Sequence, residues 1–183
     1  MAEFNGYITN LGKYNGGSLV GEWISFPISD EDLQAALQRI GIGSADSFGA
    51  SYEEYFFTDW ELPDGLDWQV LGETPDIETV NAIAEAYQNT NYPDDVVSAV
   101  IEHYSYDIDE AVAKLNNGDF LYYPNVYDAK SLGEYTVNNI DDGVQNLSTE
   151  TLQNYFDFEA YGRDIEISGS VEYINSGAIE FLK

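Results

Sequence analysis

Residues 19–40 read LVGEWISFPISDEDLQAALQRI, and this stretch changes its period halfway. Leu19 to Phe26 is rich in the β-branched and aromatic side chains that suit a strand, and Pro27 closes the run. Ser29 then stands before Asp30, Glu31 and Asp32. A hydroxyl that can cap a helix N-terminus is thus followed by three acids placed favourably against the helix dipole. Leu33, Ala36, Leu37 and Ile40 follow at helical spacing, so their side chains share one face, and Gly41 ends the helix. A strand feeding directly into an amphipathic helix predicts an α+β unit.

Outward from this stretch the same signals recur. Tyr7–Asn10 predicts a strand, and Gly12, Asn15, Gly16 and Gly17 predict a turn-rich loop. Residues 41–51 (GIGSADSFGAS) read as a loop, and residues 52–59 (YEEYFFTD) as a third strand. The middle of the chain is helical. Thr74-Pro75 predicts a cap with proline at the first helical position, followed by the stripe Ile77, Val80, Ile83, Ala84 and Tyr87. Pro93 opens a second helix with Val96, Val97, Val100, Ile101 and Tyr104. Asp107 caps a third, with Ile108, Ala111, Val112 and Leu115, ended by Asn117-Gly118.

The last third mixes types. Phe120–Tyr123 predicts a strand stopped by Pro124, Ala129–Val137 a short helix, and Ser148 caps a helix carrying Leu152, Tyr155 and Phe156. Ile165-Glu166-Ile167, Val171–Ile174 and Ala178–Leu182 read as strands, with Asn175-Ser176-Gly177 as the last hairpin turn. The expected fold is therefore α+β: an elongated chain of three small domains. These are an α+β domain over 1–62, an all-helical domain over 63–118 and an α+β domain over 119–183.

Charge narrows the function classes. Asp and Glu number 34 and Lys and Arg only 6, for a formal net charge of -28 on 183 residues. Lys13, Arg39, Lys114, Lys130, Arg163 and Lys183 are scattered singly. Such an imbalance costs stability through self-repulsion, and a basic partner relieves it. Direct binding to a nucleic-acid backbone or an anionic membrane needs clustered Lys and Arg, so neither fits. Cysteine is absent, which removes disulfides and thiolate metal sites. The opening Met1-Ala2-Glu3-Phe4 lacks a basic and apolar leader, and no run approaches a membrane span, so a soluble cytoplasmic chain is expected. Asn146-Leu147-Ser148 matches a glycosylation sequon that such a compartment leaves idle.

Catalytic and cofactor signals are weak. His103 is the single histidine and lies on a predicted helix beside Ile101 and Tyr104, the setting of a packing or surface histidine. Without a second histidine or a cysteine, a nucleophile–base pair is hard to build. A two-carboxylate hydrolase is an alternative, yet no pair among the 34 acids is singled out. No phosphate-binding glycine loop occurs. Residues 139–150 resemble a calcium loop at first glance, but Gly143 falls at its fifth place and Val144 where the glycine belongs, so an ordinary turn is expected. No cofactor and no metal are expected, and the chain does not read as an enzyme.

The acids themselves are the chemistry. Duplex DNA carries about one negative charge per 1.7 Å of axis, so 28 charges correspond to about 48 Å of duplex, or about 14 base pairs. A dimer would double that length. Folded acids facing a groove built for a polyanion would bind it as a preorganised array. A halophile-like acidic interaction domain with no DNA-groove target is the competing reading. It would need molar salt to fold.

Three stretches also resemble one family. They are Tyr7–Asn15 (YITNLGKYN) with Gly17–Trp23 (GSLVGEW) and Phe26-Pro27, then Glu53–Glu61 (EEYFFTDWE), and finally Tyr155–Asp164 (YFDFEAYGRD) with Ser176–Phe181 (SGAIEF). In this order they resemble the ArdA antirestriction proteins. The loop 41–51 is longer than that pattern, and 131–147 follows it loosely. The resemblance implies a cofactor-free inhibitor, carried by mobile elements, that mimics bent B-form DNA and blocks type I restriction-modification enzymes. It also implies an elongated three-domain homodimer joined through the C-terminal domain, with the methyltransferase and specificity core as partner.

Individual motif residues have structural readings as well. Gly12, Gly21 and Gly162 are expected at turns or close packings, and Trp23, Phe26, Tyr55 and Phe57 in the core. Arg163 is expected to pair with Asp157 or Glu159, and Lys13 to form a loop salt bridge. The partner-binding surface is expected to be collective: Glu53, Glu54, Asp59, Glu61, Asp64, Asp67, Glu73, Asp76, Glu78, Glu85, Asp94, Asp95, Glu102, Asp109 and Glu110.

Overall fold

The computed structural model describes residues 3–139 and 148–182. The calcium-loop resemblance, apart from Asn139 and the 148–150 end, and most of the sequon lie outside the described residues, as does Lys183. In order the elements are β1 (Asn5–Asn10), α1 (Leu11–Asn15), β2 (Gly21–Ser25), α2 (Asp30–Arg39), β3 (Tyr55–Glu61), a 3-10 turn (Trp68–Val70), α3 (Ile77–Asn89), α4 (Asp94–His103), α5 (Ile108–Asn117), β4 (Phe120–Pro124), α6 (Ala129–Asn139), α7 (Thr149–Tyr155), α8 (Phe158–Ser168), β5 (Ser170–Ile174) and β6 (Gly177–Phe181). Helices and two small antiparallel sheets, ordered β2-β1-β3 and β4-β6-β5, make the fold mixed α and β. The described chain divides into two compact units, Met1–Asn116 and Asn117–Lys183.

In the first unit β1 is the central strand, pairing Tyr7 with Trp23 on one side and with Asp59 on the other. Ile8, Ile24 and Phe57 fill the inner face, where α2 contributes Leu33, Ala36 and Leu37. Ser29 caps α2 as its sequence requires, accepting from the Asp32 N–H. Asn81 of α3 fastens the helical segment to the sheet: its side chain accepts from Ile28 N at 2.7 Å and donates to Ile28 O at 2.9 Å. Phe57 N also donates to Glu73 O at 2.7 Å, and Phe4 packs its ring against Phe26 and Tyr87. These links are why the predicted first segment and the helical middle share one compact unit. The helical core behind them is Val80, Ile83, Val96, Val97, Val100, Ile101, Ala111 and Leu115.

The second unit is held by a close crossing of α6 and α8. A Cβ on Gly162 would fall inside the Ala129 carbonyl, and one on Gly133 inside that of Phe158. Only glycine lets the two backbones approach this closely. Around the crossing, Tyr123, Val126, Leu132 and Ala178 form one cluster, against which Ile165 packs. Asn175 and Ser176 turn β5 into β6, with Ile174 facing Gly177.

Several local expectations change. Residues 11–15, within the predicted loop, form a short helix, because the Asn10 side chain caps it by accepting from Lys13 N. The cap of α3 is Asp76, not Thr74, and the helix starts after it, at Ile77. Ile165-Glu166-Ile167 is the last turn of α8 and not a strand. Phe158, Gly162 and Ile165 keep the helical period that buries one face on α6, leaving Ile167 exposed.

Candidate functional site

All fifteen singled-out acids lie in the first unit, and thirteen are exposed, with Asp95 and Glu110 half-buried. That unit holds 22 acids against 3 cations, a formal charge of -19 of the chain's -28. Most of the excess negative charge therefore lies there, in near proportion to the unit's length.

The cations leave most of these acids open. Arg39 pairs with Glu22 at 2.6 Å, Lys130 with Glu134 at 3.8 Å, and Arg163 with Glu159 as its spacing suggested. Each of these partners is outside the fifteen. Lys13 departs from the expected salt bridge: its Nζ donates to the Ile40 carbonyl at 3.1 Å and lies over the Tyr52 ring. Ile40 is the C-cap of α2, so the lysine charge sits at the negative end of the helix dipole. Lys114 sits 6.0 Å from the centre of the Tyr104 ring.

Packing gathers five of the acids into one patch. Ser98 is buried on α4, and its Oγ lies 2.9 Å from both the Asp64 and Asp94 carbonyl oxygens and 2.7 Å from the Tyr87 hydroxyl. Burial pushes the Tyr87 phenol above its ordinary range, so it stays protonated in this network. Gly65 adopts φ +91 and rests on Ser98 and the Asp95 backbone. One step further, Asp67 N donates to Glu102 Oε1 at 2.8 Å. The segment 64–67 therefore runs along α4 and sets Asp64 and Asp67 beside Asp94, Asp95 and Glu102. From residue 94 to 102 the helix rises about 12 Å, so five carboxylates spread along it would stand about 3 Å apart on average. That density lies between the roughly 3.4 Å of one DNA strand and the roughly 1.7 Å of the duplex.

The other acids form smaller groups. Glu53, Glu54, Asp59 and Glu61 line or precede β3, with Glu73 beside it through its bond to Phe57. Glu61 accepts from Asn5 Nδ2 at 3.0 Å. Asp76 and Glu78 sit at the start of α3, and Asp109 and Glu110 in the first turn of α5, where the helix dipole favours them. Glu85 stands exposed within α3.

Two features escaped the sequence reading. Trp23 was expected in the core but is 44% exposed, its ring set edge-on against Tyr7. Strand alternation carried that signal, because Ile24 and Phe26 take the buried side. Trp68, on the 3-10 turn, is likewise 49% exposed. Phe26 and Phe57 are buried and Tyr55 is half-buried. Gly12 and Gly21 lie against Tyr52 and the Ile8 carbonyl in close packings. His103 is half-buried, its ring 4.9 Å from that of Tyr104.

Among the described residues no three His, Asp or Glu side chains converge so as to hold a metal ion. No helix among them is long and apolar enough to cross a membrane. The family model of the antirestriction protein ArdA matches residues 6–180, and the chain belongs to that family. No curated protein matches it.

Proposed function

We propose that this ArdA-family chain is an antirestriction inhibitor that occupies the DNA-binding groove of type I restriction-modification enzymes as a mimic of bent B-form DNA. The observation that carries this is the α4 patch: Asp64, Asp67, Asp94, Asp95 and Glu102, held by packing at a charge spacing close to that of nucleic acid. Phosphate-binding grooves are lined with Lys and Arg, and most of their affinity is electrostatic. Carboxylates carried on a folded backbone meet such a groove at a lower ordering cost than those of a flexible acidic segment. The family gives the inhibitory function, and the patch gives it a physical means.

The partner is the methyltransferase and specificity core, where the groove lies, and the chain acts there as an inhibitor and not as an enzyme. The proposal includes an elongated three-domain body and a homodimer joined through the second unit. Exposed Tyr127, Tyr155 and Ile167 in that unit support a further contact surface. No cofactor takes part, the protein acts in the cytoplasm, and a mobile element is its proposed source.

The test is competition. Affinity for a type I methyltransferase core is expected to fall steeply as salt rises, and duplex carrying the recognition sequence is expected to displace the inhibitor in proportion to its own affinity. Undiminished binding in the presence of saturating duplex would refute groove occupancy.

A further inference from the structure

Against the β2–β1–β3 sheet lies a cleft of about 670 Å³. Tyr7, Trp23 and Phe56 line it from the sheet, Trp68 comes from the 3-10 turn, and Asp59 and Glu73 add two carboxylates. Tyr7 and Asp59 face each other in register across β1 and β3. Among the described residues no lysine or arginine lines the cleft. Half-exposed tryptophans are costly on a soluble surface and are the residues that dominate protein interfaces.

We propose that this cleft receives an arginine side chain presented by the protein partner. Aromatic faces attract a cation, and a planar guanidinium both stacks on a ring and forks toward a carboxylate, which an ammonium does not do. The formal charge of -28 repels anionic occupants and draws basic ones. Within an otherwise diffuse electrostatic contact, the cleft supplies a point anchor that fixes register. The identity of the partner rests on the function proposed above; the chemistry of the cleft does not.

Tryptophan emission reads the site directly, because Trp23, Trp60 and Trp68 all line it. The full chain is titrated at physiological salt with a capped Gly-Gly-Arg-Gly-Gly peptide and with its citrulline counterpart, which keeps the shape and loses the charge. The arginine peptide is expected to shift emission saturably and to bind about 10-fold more tightly than the citrulline peptide. Trp68→Leu and Asp59→Asn are each expected to weaken it about 5-fold. A paired Asp30→Asn, Glu31→Gln control, which removes exposed charge outside both the cleft and the α4 patch, leaves it within about 2-fold. Equal affinity for the two peptides, or equal weakening by the control, would overturn the proposal. If Trp68→Leu displaces the thermal transition, Asp59→Asn decides the matter, since asparagine still accepts from Trp60 N. A chain that takes the peptide yet fails to compete with duplex would count against groove mimicry alone, and the reverse result against the cleft alone.

Discussion

Neutralising the α4 patch gives the sharpest quantitative expectation. The variant carries Asp64→Asn, Asp67→Asn, Asp94→Asn, Asp95→Asn and Glu102→Gln together. Each replacement keeps an acceptor oxygen, so Glu102 can still bond Asp67 N and residue 67 can still cap the 3-10 turn. An exposed carboxylate about 6 Å from a groove cation gains about 0.7 kcal/mol in water, reduced to about 0.3 kcal/mol by screening at 0.15 M salt. Five such losses sum to about 1.6 kcal/mol, or about 15-fold in Kd, whereas one alone costs less than about 2-fold. At 1 M salt the Debye length shrinks to about 3 Å, and the fivefold variant should differ from the parent by only about 2-fold. The assay is competition binding to a type I methyltransferase core at both salt concentrations, with thermal unfolding as a control. Loss of the two acids at the α4 N-terminus costs some helix stability, and relief of crowding offsets it, so folding should change by less than about 1 kcal/mol. Unchanged affinity of the fivefold variant would refute the patch as a contact surface. Loss of all binding from Asp95→Asn alone would refute a collective field and favour one discrete interaction.

Other expectations concern the second unit and the assembly. Gly162→Ala should destabilise the α6–α8 crossing by about 3 kcal/mol, because the Ala129 carbonyl it meets is backbone and cannot rotate away; urea unfolding measures this, and a loss under about 1 kcal/mol would contradict the crossing. Asp128 accepts from Ser131 N at 2.7 Å and from Ser131 Oγ at 2.8 Å, and these bonds hold its carboxyl below the usual carboxylate range. A carboxyl depressed by folding stabilises above its unfolded pKa and loses that effect as pH falls through the folded value. Asp128→Ala should therefore cost about 1 kcal/mol at neutral pH through loss of its capping bonds, and the gap should narrow as pH falls through the lowered folded value. Small-angle scattering should give a dimer mass and a radius of gyration well above the roughly 16 Å of a compact 183-residue monomer; a compact monomer would contradict the elongated dimer.

Much of the local structure was legible because neighbouring residues decide it. Ser29, Asp107 and Ser148 start helices through bonds spanning three residues. Gly118, with φ +68, follows α5 where its sequence placed the stop. The acid-to-cation ratio of 34 to 6 needs no fold at all to exclude a nucleic-acid-binding surface. What failed locally failed where two periods competed. Ile165-Glu166-Ile167 alternates like a strand, yet Phe158, Gly162 and Ile165 also keep helical register. Contact with α6 chose the helix.

By itself, then, the sequence determined the sign and size of the charge, the caps and stops, and the strand–helix–strand order, all properties of short windows or of composition. Only the tertiary structure decided which acids stand together. Asp64 and Asp67 are about thirty residues from Asp94, Asp95 and Glu102, and it is the buried Ser98 hydroxyl and the left-handed turn at Gly65 that lay them along one helix. Tertiary packing likewise set Trp68 beside Trp23 in one open cleft. Nothing in the local sequence around either tryptophan encodes the other, because their proximity depends on how the segment after β3 folds back past the sheet.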